Sequence, residues 1–276
     1  MVQPPNGDLQ GEQITMIINF FEAAASFTVE PEQAVNYFKA KGLKGTWHWS
    51  EMLDVEHDKA FTIAKMMDLD LLHTVKVQLA LHIAEGGTLQ SFKQILIPIL
   101  QAKGWWGKKD VVDDKTGLVN EVQLGSAYRL TTIFRTNLQS SYAAGHWESI
   151  TEQAEESPYL MYDAVDDHRT RSSHAANDGK VFAVDNSFWN SHYPPNGFNC
   201  RCGVIQMDAD DLKAYGLSIS NTTTPKMRPW TNPSTGNIEM LPEGVDGGFN
   251  HNVGNSYNKK LLGLLNIKTN KNQIEN

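Results

Sequence analysis

The sequence predicts an α+β fold: a helical N-terminal half packed on a small mixed α/β core with short strands, followed by an extended C-terminal arm. Three observations predict it. Through the first half, apolar residues recur every three or four positions, the period of a helix with one buried face. After Trp147 they gather instead into short β-branched or aromatic runs bounded by turn formers, which is the strand signature. From Ser218 the chain becomes rich in Asn, Thr, Ser and Pro, a composition suited to a surface-hugging arm rather than a packed unit. The boundaries read as 1–147 for the helical region, 148–217 for the α+β core and 218–276 for the arm with its polar tail.

Glu30-Pro31-Glu32-Gln33 has the form of a helix start, with Pro in the first turn and acids at the positive end of the dipole. Ala34, Tyr37 and Phe38 would be its buried side. From Asp68, the residues Leu72, Val75, Leu79 and Ile83 make one helical face that Gly86-Gly87 stops. Thr88 reads as the N-cap of the next helix, with Leu89, Phe92, Leu96 and Ile99 on one side. Pro98 lies inside that pattern and, lacking a backbone donor, should kink or shorten the helix. Periodicity then lapses into a loop or hairpin whose turn is Asp114-Lys115-Thr116-Gly117. Ser126 caps a third helix with Leu130, Phe134, Leu138 and Tyr142 buried, expected to end near Gly145; Arg129, Arg135 and Asn137 lie on its other face. Strands are expected at 159–165, 181–184 and 203–207, and the Asn/Lys-rich end from Lys259 should fray.

The 276 residues suffice for one or two domains with a real core. With 24 basic against 32 acidic residues the net charge is −8, which makes a poor general binder of phosphate backbones. Lys39, Lys41, Lys44, Lys103, Lys108 and Lys109 form small basic clusters, and Trp105-Trp106 could stack on bases. Solvated lysines and a buried Trp pair are the plainer reading. No run approaches the ~18 apolar residues of a membrane span, and the first residues lack the basic and apolar regions of a signal peptide. Cys200 and Cys202, one residue apart, would point away from each other in an extended strand and rarely bridge, which suits a reduced, cytoplasmic setting.

The chemistry concentrates in residues 167–202. Thiolate and imidazole are the ligands zinc prefers, so His174, Cys200 and Cys202 are candidate metal ligands, with Asp167, His168 or His192 as candidates for the fourth position. A second reading makes Cys200 or Cys202 a nucleophile with His174 as base, although the cysteines precede a strand-like run rather than open a helix. The leading physical account is structural. Arg169 and Arg171 alternate along an extended segment and can hold carboxylates or carbonyls bidentately, with Asp166, Asp167, Asp178 and Asp185 close in sequence. Gly179 supports a tight turn and Pro194-Pro195-Asn196-Gly197 a rigid one, so the block forms a cross-linked polar knot around a small core.

The pattern Asp167-x-Arg169-x-Arg171-x-x-His174, then Asp178-Gly179-Lys180-Val181-Phe182, then Pro194-Pro195-Asn196-Gly197-Phe198-Asn199-Cys200-Arg201-Cys202 resembles the phage Mu F-like head morphogenesis family, also called minor head or minor capsid proteins. The resemblance runs from about Pro31 to Gly254, through Arg129-Leu130-Thr131-Thr132-Ile133-Phe134-Arg135 and a closing motif that includes Leu241-Pro242-Glu243-Gly244-Val245-Asp246-Gly247-Gly248. It implies a non-enzymatic virion component of few copies at the portal vertex, acting in head morphogenesis, DNA packaging or ejection after assembly in the bacterial cytoplasm. The implied partners are the portal protein and other capsid components, beside packaged double-stranded DNA. Some relatives carry Cys at the positions of Arg171 and His174, which implies a four-ligand zinc set. Here Arg171 cannot ligate and could act as a local cation in the metal's place. Domains of the family also occur beside toxin modules, so a toxin-like or hydrolytic enzyme using Cys200 and His174, or a bound zinc, is the rival reading.

Overall fold

In the computed structural model, which describes residues 31–112, 119–222 and 224–255, the first helices start and stop at their capping residues. Glu30, the turn at 114–117 and the tail from Lys259 lie outside the described residues. Helix α1 (Pro31–Lys39) is followed by the short strands β1 (Gly42–Leu43) and β2 (Ala60–Phe61), paired in parallel, with the one-turn helix α2 (Glu56–Lys59) just before β2. Helix α3 (Leu69–Glu85) opens where the Asp68 carboxylate accepts the backbone N–H of Asp70 and Leu71, and closes at Gly86 with φ of 65°. Helix α4 (Leu89–Ala102) opens on Thr88, whose hydroxyl accepts from Ser91 N–H. It runs through Pro98 without ending there, since Leu100 beyond the proline is fully buried.

Strands β3 (Lys108–Val112) and β4 (Val119–Gln123) pair as an antiparallel hairpin in the expected loop. The third long helix, α5 (Ala127–Glu152), continues past Gly145 to Glu152. Gly145 has helical neighbours that are anchored: Trp147 and Ile150 are both buried beyond it, and their burial outweighs the roughly 1 kcal/mol that a mid-helix glycine costs.

Helix α5 joins two cores. Its N-terminal half packs Leu130 and Phe134 with Leu72, Leu79, Phe92 and Leu96. Its C-terminal half places Ala144, Trp147 and Ile150 against Leu160, Tyr162, Trp189 and Tyr193. That second core rests on a three-stranded antiparallel sheet in the order β6 (Val181–Ala183), β5 (Tyr159–Asp163), β7 (Gly203–Met207). Alternation along the central strand divides the faces. Leu160 and Tyr162 enter the second core, while Tyr159 and Met161 pack on a smaller cluster of Val181, Ile205, Met207 and Leu212. Two short helices, α6 (Ser172–Ala175) and α7 (Trp189–His192), lie in the connections between strands, and α8 (Ala209–Ala214) follows β7.

The arm runs extended from Ser218 and folds back once, as an antiparallel hairpin of β8 (Met227–Thr231) and β9 (Ile238–Pro242). Its last described stretch returns to the body, where Val245, Phe249, His251, Asn252 and Val253 are buried. The Asn252 amide donates to Trp189 O (3.1 Å), and Trp147 Nε1 donates to Asn255 Oδ1 (2.9 Å), closing the second core. Among the described residues no helix is long and apolar enough to cross a membrane.

Two imidazoles give this packing a pH signature. Desolvation pushes His57 and His146 from the usual 6.5 down to about 4, so both are neutral in the fold at pH 6 while the unfolded chain has begun to protonate them. The unfolded state then binds more protons, and stability falls as pH drops from about 6.5 towards 4. Urea midpoints across that window should decline steadily; a flat profile would show that neither imidazole is held neutral.

Candidate metal centre

Helix α6 is only one turn long, yet it points His174 into the second core, where the side chain is buried. His174 Nε2 lies 2.9 Å from Gly244 O. A carbonyl can only accept, so Nε2 carries the hydrogen and Nδ1 is left facing inward. Nδ1 meets Cys202 Sγ at 3.5 Å and Cys200 Sγ at 3.7 Å. The two thiols therefore converge, contrary to the divergence expected of an extended strand. The cause is local: β7 begins only at Gly203, and Asn199, with φ of 58°, bends the chain immediately before the pair. Both cysteines are free and buried.

The donor atoms of His174, Cys200 and Cys202 lie within 4.8 Å of one another. Hydrogen bonding from Cys200 pulls the Cys202 thiol down, although burial opposes this. The Cys200 thiol is pushed up by its bond to Cys202 and by burial. Tyr162 is fully buried on β5 and donates to Asn196 Oδ1 (2.9 Å), while the Asn196 amide donates to Ser191 O and Tyr193 O. The Pro194–Pro195 peptide preceding Asn196 is cis.

Around the trio, the other residues singled out in the sequence make cross-links. Asp167 accepts from both terminal nitrogens of Arg201, at 2.8 and 2.5 Å, and also from Arg169. The Arg201 guanidinium holds its carboxyl well below the usual carboxylate range. Arg171 donates to Phe198 O and pairs with Asp246, both at 3.1 Å. Its acidic partner thus comes from the closing segment and not from the nearby aspartates. Asp178 accepts the Ala164 N–H (2.7 Å), and Gly179, with φ of 70°, makes the turn that donates its own N–H to Tyr162 O.

The expected fourth ligands do not arrive. Among the described residues the group contains His174, Cys200 and Cys202 alone. Asp167 is engaged by arginines, His168 is exposed, and His192 bonds Ser191 and the Glu243 carbonyl while stacking on Phe188. The trio fits three positions of a tetrahedral zinc: the ligands are soft, and a backbone carbonyl orients the imidazole from behind. A fourth ligand would have to come from outside this group. As a nucleophile and base, the same atoms are only 3–6% exposed and offer a substrate little access. Sequence reasoning missed Tyr162 and the roles of Gly244 and Asp246; the closing motif around Gly244 was visible, but nothing in it announced a contact 70 residues away.

Comparison with known proteins is consistent with the motif block. A family model described as Phage Mu protein F like protein matches residues 73–205. The putative capsid assembly protein F of Escherichia phage Mu is 41% identical over 221 residues, which is 79% of this chain and 50% of that protein. The chain belongs to the phage Mu F-like family. The Mu-like prophage FluMu F protein of Haemophilus influenzae is also 41% identical, over 177 residues that make up 64% of this chain and 42% of the relative. The Mu F-like chain thus spans about half the length of the curated relatives it matches. No solved structure matches it. The matched segment of the family model ends inside β7 and includes His174, Cys200 and Cys202.

Proposed function

We propose that this Mu F-like chain is a minor structural protein of a tailed-phage head, working at the portal vertex in head assembly and in DNA packaging or ejection, and that it is not an enzyme. The observation that carries the reading is the 41% identity, over 79% of the chain, to a Mu protein named for capsid assembly. The geometry supports a structural role, because the residues of the motif block hold one another: Asp167 with Arg201, Arg171 with Asp246, and His174 with Gly244. The partners are the portal protein and other capsid components, next to packaged double-stranded DNA; the chain is assembled in the host cytoplasm and resides in the virion. The test is location. The chain should co-sediment with portal or procapsids and appear in few copies by mass spectrometry of mature virions; absence from both would sink the proposal.

Within that role, His174, Cys200 and Cys202 are proposed to hold zinc, which would supply a cross-link between α6 and the loop before β7. Elemental analysis of the purified chain should find about one zinc per chain, lost in Cys202→Ser. A metal-free chain with wild-type stability would leave the trio as a purely hydrogen-bonded cross-link. Hydrolytic turnover abolished by Cys200→Ser in a folded chain would favour the enzymatic alternative instead.

A further inference from the structure

The closing segment touches the thiol trio with its first residues and the stretch before β2 with its later ones. Gly244 O holds His174 Nε2 at 2.9 Å, and Asp246 N–H donates to Asn196 O at 3.0 Å. The Asp246 carboxylate also pairs with Arg171. The approach is close, since a methyl group added at Gly197 would collide with that carboxylate. His174, Asn196 and Gly197, the residues nearest the two thiols on either side, thus all lie against the segment, and the thiols are buried.

A few residues later, the segment is fastened to a stretch far back in the sequence. Asn250 N–H donates to Asp54 Oδ1 at 2.8 Å, across 196 positions. His251 Nε2 faces Asp58 Oδ2 at 3.1 Å, with side chains only 9% and 5% exposed, and Tyr37 donates to the other oxygen of Asp58 at 2.5 Å. Removing one partner of so buried a pair leaves the other uncompensated, so the contact decides whether the segment stays down. Beyond it, the Asn252 amide is tied to Trp189 O.

Between these ties the support is thin. Gly247, Gly248, Phe249 and His251 form part of the wall of a cavity of about 400 Å³, so the segment spans a gap there and forfeits the contacts that a filled space would give. Gly244 and Gly248 turn the backbone with φ of 90° and 84°, and none of residues 244–251 joins a strand ladder. A loop held by a few side-chain contacts over unfilled volume is the kind of unit that opens locally while the cores stay folded.

We propose that residues 244–251 are a strap that closes the thiol trio, and that the Asp58–His251 pair is its fastener. Seated, the strap orients His174 through Gly244 O and keeps Cys200 and Cys202 out of solvent. Lifted, it withdraws that carbonyl and gives both thiols a path to small solutes without unfolding either core.

The experiment reacts the full chain with dithiobis(nitrobenzoate) in native buffer containing EDTA and follows the modification rate of Cys200 and Cys202 by absorbance. His251→Ala leaves the trio untouched but breaks the fastener, and should raise the rate at least about tenfold. Asp54→Gly suits the φ of 49° at that position and removes only the acceptor of the Asn250 N–H. It should raise the rate roughly three- to tenfold and serves if His251→Ala does not fold. Leu96→Ala weakens the first core, away from the strap, and should leave the rate within about twofold of wild type. An equal rise in Leu96→Ala would mean that the thiols react only through global unfolding, and no rise in either strap variant would mean that the segment is a fixed wall; each result would overturn the proposal. Because EDTA removes zinc from every sample, the comparison stands whether or not the trio holds a metal.

Discussion

Trp105→Ala is expected to lower the unfolding free energy by about 3–5 kcal/mol, the usual loss for a large buried aromatic. Trp105 is only 7% exposed and belongs to the first core. Its Nε1 donates to Lys65 O at 2.7 Å, and the Arg129 guanidinium lies 4.9 Å from its ring centre. Arg129 in turn donates to carbonyls of Ala64, Gln123 and Leu124, so the indole sits under a cation that ties three segments together. Gly125 completes the site: a Cβ there would come within 2.5 Å of Trp105 O, a backbone atom that cannot swing away. Base stacking by Trp105 is therefore excluded while the fold is intact, and Lys41, another member of the basic clusters, is likewise buried. Urea unfolding followed by tryptophan fluorescence and circular dichroism tests this. A loss below about 1 kcal/mol, or lost DNA retention at unchanged stability, would contradict the packing role.

His174→Ala should cost about 3 kcal/mol, because it removes a buried ring and leaves polar groups unmatched. The Gly244 carbonyl loses its donor, and the two thiols lose the nitrogen that orients them. Arg169→Ala is the contrasting control. Its ion pair with Asp167 is 61% exposed on the arginine side, and the change should fall within about 0.5 kcal/mol. Chelator separates the two forms of the cross-link. If zinc is bound, EDTA should destabilise the wild-type chain and leave His174→Ala unaffected; equal stability of the wild type with and without EDTA would assign the whole effect to hydrogen bonds. Comparable losses from the His174 and Arg169 substitutions would contradict the central place given to the imidazole.

Much of the helical half was legible because its signals are local. Asp68, Thr88 and Ser126 cap helices with their own side chains, and Gly86 ends one by taking a left-handed conformation. The same kind of signal misled at Gly145, where Trp147 and Ile150 farther along the helix are buried and keep it continuous; at Pro98 the helix is not shortened and runs on to Ala102. In the α+β core the strands could be read from composition, but the partners of their side chains could not. Arg171 was recognised as a cross-linker, yet its carboxylate is Asp246 on the far side of the arm. The cysteines were recognised as the centre of the motif block, while their direction depended on the bend at Asn199.

The sequence by itself determined the α+β class, the starts of the three long helices, the three strands of the central sheet and the membership of the residue 167–202 block in a recognisable family pattern. These follow from periodicity, capping and motif spacing, which act over a few residues. Only the tertiary structure decided that His174 meets Cys200, Cys202 and Gly244, residues 26, 28 and 70 positions away. It also decided that the stretch from Val245 to Val253 returns to the body. The physical reason is common to these cases: contacts between distant segments are set by how helix α5 and the closing segment dock, and that geometry depends on the packing of the whole core.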